Sequence, residues 1–107
     1  FPVGHALVDT GADVTLLPWE LNQVLDLDLD HKKALDFQSA GGGTSHAVPG
    51  ARLVTYSIEQ SGYRPIQWRG IVFFVTNHPT ILLGQFQCLS QLTLTLDGER
   101  HRLTVKW

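Results

Sequence analysis

Hydrophobic positions along this chain fall into short runs separated by small and polar turns, and most of the runs carry the two-residue period of strands. Val3 to Asp9 reads as a strand that ends in the turn Thr10-Gly11-Ala12-Asp13, and a second apolar stretch, Val14 to Leu17, follows at once. Pro18, Trp19 and Glu20 suit a first helical turn, and Leu21, Val24 and Leu25 recur at helical spacing, which predicts a helix of about two turns. Leu27 and Leu29 alternate with Asp26, Asp28 and Asp30 as a brief strand or extended loop. Phe37 to Pro49, with its run Gly41-Gly42-Gly43, reads as a flexible segment. Arg52 to Glu59 and Ile66 to Val75 read as strands around a turn at Gln60 to Gly62. Ile81-Leu82-Leu83 is stopped by Gly84, and Phe86 to Leu92 has room for one or two helical turns. Leu92, Leu94 and Leu96, then Leu103 and Val105, alternate on either side of Asp97-Gly98, a strong hairpin-turn signal. The expected fold is mainly β, with one or two short helices, no internal repeat and no linker.

Composition narrows the class. A chain of 107 residues with 43% apolar and 17% charged residues supports one packed domain over 1–107 and excludes disorder. Its longest apolar runs, such as Ile71 to Val75, fall far short of the roughly 20 residues of a membrane-spanning helix, so no membrane partner is expected. The formal charge of −2, with scattered basic residues, offers no footprint for nucleic acid. A single cysteine, Cys88, excludes an internal disulfide and makes a reducing compartment, taken as the cytoplasm, the expectation. The absence of Met points to a processed or excised product.

The candidate chemistry centres on Asp9. An acid placed straight after an apolar strand, at a turn of small residues, is presented on a rigid support beside backbone N–H groups. Taken alone, such an Asp also fits a plain turn-capping role. Other polar features carry less. Asp26, Asp28 and Asp30 imitate the start of a calcium loop, but His31 and Phe37 occupy the positions that need Gly and Glu. The histidines at 5, 31, 46, 78 and 101 have no metal-ligand spacing, so neither metal nor cofactor is expected. Cys88 reads as a small buried hydrophobe beside Phe86 and Leu89. Trp19, Trp68 and Trp107 read as core or interface, with Trp68 and Tyr63 able to touch a substrate only if their strand lines a cleft.

Asp9-Thr10-Gly11-Ala12 between two hydrophobic runs, followed far downstream by Ile81-Leu82-Leu83-Gly84 ahead of a short helix, resembles the retropepsin-like aspartic protease family over nearly the whole chain. The resemblance implies an acid-protease half-barrel that works as a homodimer on polypeptide, each subunit supplying Asp9 to a shared pair of catalytic carboxylates. Thr10 would brace the two loops across the dimer axis, Gly11 would let backbone approach the reacting water, and Leu83 and Gly84 would pack under the loop beside Ala12. Asp13 would contact substrate main chain or the other subunit. Retroviral members carry an Arg after the glycine of the second motif, where this chain has Gln85. Gly41, Gly42 and Gly43 fall where the family has its flap, a hairpin that closes over bound peptide.

Only eight residues precede Asp9, fewer than in retroviral members, so some natural N-terminal residues are expected to be missing. The alternating segment Leu92 to Trp107 is the favoured dimer surface. The alternative reading is a catalytically silent module of the same fold that dimerises or binds peptide. A zinc or nucleotide enzyme is disfavoured by the missing motifs.

Overall fold

Two apolar triplets far apart in sequence, Ala6-Leu7-Val8 and Ile81-Leu82-Leu83, lie side by side as parallel strands, and the rest of the main sheet is arranged around that pairing. The computed structural model describes residues 5–38 and 42–107. Val3, the expected start of the first strand, and Gly41 lie outside them. The strands are β1 (Ala6–Val8), β2 (Leu16–Pro18), β3 (Leu35–Gln38), β4 (Thr44–Pro49), β5 (Val54–Ile58), β6 (Ile66–Gly70), β7 (Phe73–Val75), β8 (Ile81–Leu83), β9 (Thr93–Asp97) and β10 (Arg102–Lys106). One α-helix, α1 (Leu21–Val24), and two 3-10 turns, His31–Lys33 and Leu89–Gln91, complete the described elements. The mainly β reading holds, and among the described residues no helix is long and apolar enough to cross a membrane.

Six strands form one sheet in the order β1-β8-β2-β7-β4-β3. β8 runs parallel to β1 and meets β2 antiparallel at the single pair Leu16 and Leu82. It is thereby wedged between the two strands that flank the Asp9 turn. β2 runs parallel to β7, with Leu16, Leu17 and Pro18 opposite Phe73, Phe74 and Val75. Successive residues of a strand point to opposite faces, so these runs cover both sides of the sheet. Leu17, Phe74 and Ile81 join Leu27 and Val72 on one side, while Leu16, Phe73, Val75 and Ala47 pack on the other. A third cluster, Trp68, Cys88 and Leu89, sits under the separate β5–β6 hairpin, where the rings of Tyr56 and Trp68 stack 5.0 Å apart.

Several sequence expectations are corrected. The segment from Phe37 to Pro49 is largely a hairpin: β3 pairs with β4, and Ala47, Val48 and Pro49 pair onward with β7. Its polar, unpatterned sequence hides a strand fixed by long-range pairing and by the burial of Ala47 and Val48. The helix is one turn rather than two, because Pro18 is taken into β2 and Asp26 adopts a left-handed φ of 50°. Ile66 to Val75 is two strands in two sheets, broken at Ile71 and Val72. The segment from Phe86 to Leu92 holds only a 3-10 turn, since Gln87 also turns left-handed with φ 53°. That turn serves the packing: the Gln87 carbonyl accepts from Trp68 Nε1 at 3.1 Å, and its Oε1 accepts from the Ile71 N–H at 3.0 Å. The hairpin turn expected at Asp97-Gly98 is present between β9 and β10, although it runs longer than those two residues. Asp97 and Arg102 close a longer loop, held by Asp97 Oδ1 accepting from the Arg100 N–H at 3.1 Å.

The close approach of the Gln87 turn to β6 depends on Gly70, where an added Cβ would lie 2.3 Å from the Gln87 carbonyl oxygen. Gly70→Ala is therefore expected to lower stability by at least about 2 kcal/mol in equilibrium urea unfolding. Gly98→Ala, with open space around its Cβ position, should stay within roughly 0.5 kcal/mol of the parent chain.

Candidate active site

The turn between β1 and β2 is held by its own backbone and by the residues that follow β8. Asp9 N–H donates to the Leu83 carbonyl at 3.1 Å, which continues the β1–β8 pairing to the strand end. The Asp9 carboxylate accepts from the Gly11 N–H at 3.0 Å, and the Ala12 N–H donates to the Asp9 carbonyl at 3.1 Å. This is the turn-capping arrangement expected of a small-residue loop, and it fixes where the carboxylate points. A Cβ at Gly11 would touch Asp9 Oδ1 at 3.4 Å, so the glycine leaves room for the acid rather than supplying an unusual φ.

From below, the Gln85 N–H donates to the Ala12 carbonyl at 2.9 Å and the Phe86 N–H to the Asp13 carbonyl at 2.8 Å. The Gln85 side chain itself reaches the loop, its Nε2 donating to the Thr10 carbonyl at 3.0 Å. Gly84 passes so close to Val14 that a Cβ there would fall 2.2 Å from the Val14 carbonyl oxygen. Its N–H donates to Thr15 Oγ1 at 3.0 Å, and Thr15 is wholly buried.

The loop forms one wall of a cleft of about 640 Å³. Asp9, Gly11, Ala12 and Asp13 line it together with Leu16, Leu82 and His78, and β3 with Ala47 forms the facing wall. The structure thus brings four of the predicted site residues to one surface. Thr10 is exposed beside them, while Leu83 and Gly84 act beneath the loop as bracing and do not line the cleft. Gly42, with φ 86°, and Gly43 lie in the connection of the β3–β4 hairpin and are not part of the cleft wall, and Gly41 lies outside the described residues. Trp68 is buried against Tyr56 and Leu89 and does not line the cleft, and Tyr63 is 73% exposed elsewhere. Cys88 is buried with Leu89 as expected, but Phe86 is exposed rather than its neighbour in the core.

Three contributors were not identified from the sequence. Thr15 is the polar residue inside the apolar run Val14 to Leu17, and a hydroxyl at such a position needs a buried partner, which was the available signal. Gln85 stands where the resemblance implies an Arg, and its amide ties down the loop. On β3 and β4, His46 Nδ1 meets Asp36 Oδ1 at 2.6 Å across the hairpin, and Asp36 lines the cleft. No sequence signal foretold that pairing, because the strand register was not legible. Among the described residues no group of three or more His, Cys, Asp or Glu side chains is placed to hold a metal ion.

Beneath the loop the Tyr56 hydroxyl donates to the Ile71 carbonyl at 3.1 Å, and the Thr15 hydroxyl acts on the acidity of both Tyr56 and Cys88. Burial raises the Tyr56 phenol well above its ordinary 10.0, and hydrogen bonding to Thr15 offsets part of that rise. Burial likewise raises the Cys88 thiol above 9.0, again offset in part by Thr15. Both groups are neutral when protonated and ionise more readily in the unfolded chain. Their contribution to stability is therefore complete below about pH 9 and declines as pH rises beyond the unfolded values. Urea midpoints should fall from pH 8 toward pH 10, and a disulfide reagent should label Cys88 only as fast as the chain opens. Thr15→Val, which strands the Gly84 N–H, should cost about 1–3 kcal/mol, while Thr15→Ser should recover most of it.

A family model described as aspartyl protease matches residues 2–86, a range that contains both the Asp9 loop and the Leu83-Gly84 brace. Comparison with curated proteins gives no match. With the match spanning most of the sequence, and with β8 wedged beneath a cleft-lining Asp-Thr-Gly turn, the chain belongs to the retropepsin-like aspartyl protease family.

Proposed function

We propose that the chain is an aspartic endopeptidase in which two copies pair to bring their Asp9 carboxylates together. The observation that supports this most is the way residues 83–86 fix the Asp9 loop while leaving Thr10 and Gly11 on its outer, exposed side. A braced loop with an open outer surface is half of a symmetric site. Two carboxylates about 3 Å apart cannot both stay ionised, so the pair holds one proton between them. The ionised member takes a proton from a water lying between the two, and the water oxygen attacks the scissile carbonyl carbon. The protonated member gives its proton to the carbonyl oxygen, and a tetrahedral diol forms with no covalent bond to the protein. Collapse of the diol breaks the C–N bond as the protonated carboxyl gives its proton to the leaving nitrogen and the ionised one takes a proton from a diol hydroxyl, which restores the pair with its single shared proton.

The cleft beside Asp9 suits an extended peptide. Leu7, Leu16, Leu35, Phe37 and Leu82 give it apolar walls for side chains flanking the scissile bond. The β3–β4 hairpin, whose strand β3 forms the far wall, takes the role of the flap, with Gly42 free to hold its left-handed φ at the turn. Asp13 has no hydrogen bond through its carboxylate among the described residues, which leaves it available to substrate main chain or to the second subunit. The bracing that a loop of this kind requires comes here from the neutral Gln85 amide.

Cleavage of a mixed peptide library over roughly pH 4–8 tests the reading. At low concentration the rate should rise with the square of protein concentration, as expected when two chains build one site. Asp9→Asn keeps the side-chain shape and removes the shared proton, so it should lower kcat by at least about 10³-fold while sedimentation shows unchanged self-association. Undiminished cleavage by a pure Asp9→Asn preparation would end the catalytic assignment. A folded, paired parent chain that cleaves nothing would leave a peptide-binding module.

A further inference from the structure

A second groove, of about 620 Å³, shares no residue with the Asp9 cleft. It lies between the β5–β6 hairpin with its connecting turn and the strand β10, and Ile58, Ile66 and Leu103 give it an apolar floor. Arg64, between β5 and β6, and Arg102, on β10, both line it, and among the described residues no carboxylate does. Neither guanidinium has an ion pair or hydrogen bond among the described residues. Asp97 stands opposite Arg102 in the strand register, but its carboxylate is directed to Arg100, at 3.9 Å from Nε, and to the Arg100 backbone. In a chain with a net charge of −2, this is a place where two uncompensated cations line one groove together with apolar surface.

The wall supplied by β10 is also a strand edge. Among the described residues β10 pairs with β9 alone, so its other edge carries backbone N–H and C=O groups without a ladder partner there, and the residues of that strand line the groove. A peptide added to that edge would place alternate side chains beside Arg102 and Thr104 on one face and beside Leu103 and Val105 on the other. From this juxtaposition we infer that the groove is a docking site for an extended acidic peptide in which Glu or Asp alternates with apolar residues. One acid meets Arg102 and another meets Arg64, while the apolar residues cover Leu103 and the exposed Tyr63 ring. Backbone pairing supplies affinity and the alternation supplies register, the usual division in strand addition. A polyphosphate backbone is less suited, because it would leave both the strand edge and the apolar floor without partners.

The inference is separate from the proteolytic reading, since binding is measured directly, and it requires that copies pairing through the Leu92 to Trp107 segment leave the outer edge of β10 open. A blocked, fluorescein-labelled peptide alternating Glu and Val is titrated with the full chain carrying Asp9→Asn, so that the probe cannot be consumed, and anisotropy is followed. Saturable binding is expected, weakened at least about tenfold by Arg64→Glu or by Arg102→Glu. Arg64→Gln and Arg102→Gln should act in the same direction with less loss, and circular dichroism checks that each variant is folded. Arg69→Glu changes net charge equally on an exposed β6 residue outside the groove and should have little effect. Affinity should fall as salt rises, and the peptide with Lys for Glu, or with its Glu and Val residues in separate blocks, should bind at least about tenfold less. Four results would overturn the proposal: no binding of the alternating peptide, equal binding of the Lys peptide, equal damage from Arg69→Glu, or displacement of the peptide by oligouridylate at lower concentration than by unlabelled peptide. Self-association that disappears with Arg64→Glu and excludes the probe would assign the groove to a second copy of the chain and would overturn it as well.

Discussion

Everything that positions Asp9 depends on β8 lying between β1 and β2. Those two strands flank the loop, and neither pairs with the other. β8 joins them, pairing parallel with one and antiparallel with the other. The strand can occupy that position only because the chain leaving it has no side chain at Gly84, where the Val14 backbone fills the space a Cβ would need. Thr15 then converts the close approach into a bond, accepting from an amide that would otherwise be buried without a partner. One missing methyl and one buried hydroxyl thus decide whether the loop above has a floor.

That floor explains how a neutral side chain serves where retroviral relatives carry Arg. A guanidinium would need a carboxylate to satisfy it, and would spend Asp13 in doing so. The Gln85 amide asks only for a carbonyl, and it takes that of Thr10. The Asp13 carboxylate is left facing the cleft, while the Asp13 backbone is still held through Phe86 N–H. Bracing of the loop and the charge lining the cleft are separated in this chain.

The Asp9 loop and its brace are more legible in the sequence than the strands around them. Asp9 to Asp13 and Leu83-Gly84 could be read because a turn of small residues and an apolar run stopped by glycine are local patterns. Most strands also announced themselves through alternation, as in Thr93 to Asp97 and Val54 to Ile58. The failures came where distant partners decide the local structure. β4 looked flexible because Thr44, Ser45 and His46 are polar, yet β7 holds its other half. Gln87 looked like part of a helix, and its left-handed turn is explained by bonds to Trp68 and Ile71, far from it in sequence. Thr15 and Gln85 were visible as residues, but their partners lie 69 and 75 positions away.

The same separations bear on the order in which the molecule is made. Pairings that join the first strand to the eighth close a large loop of chain, and such contacts are slow to form and cannot form at all on a partial polypeptide. During synthesis the Asp-Thr-Gly turn emerges ahead of its brace, which follows only when residues 83–86 leave the ribosome. Until then the acid sits on an unsupported turn with no cleft wall from Leu82. Topology alone thus ties completion of the loop's floor to the arrival of the second apolar motif, so the two halves of the pairing mature together.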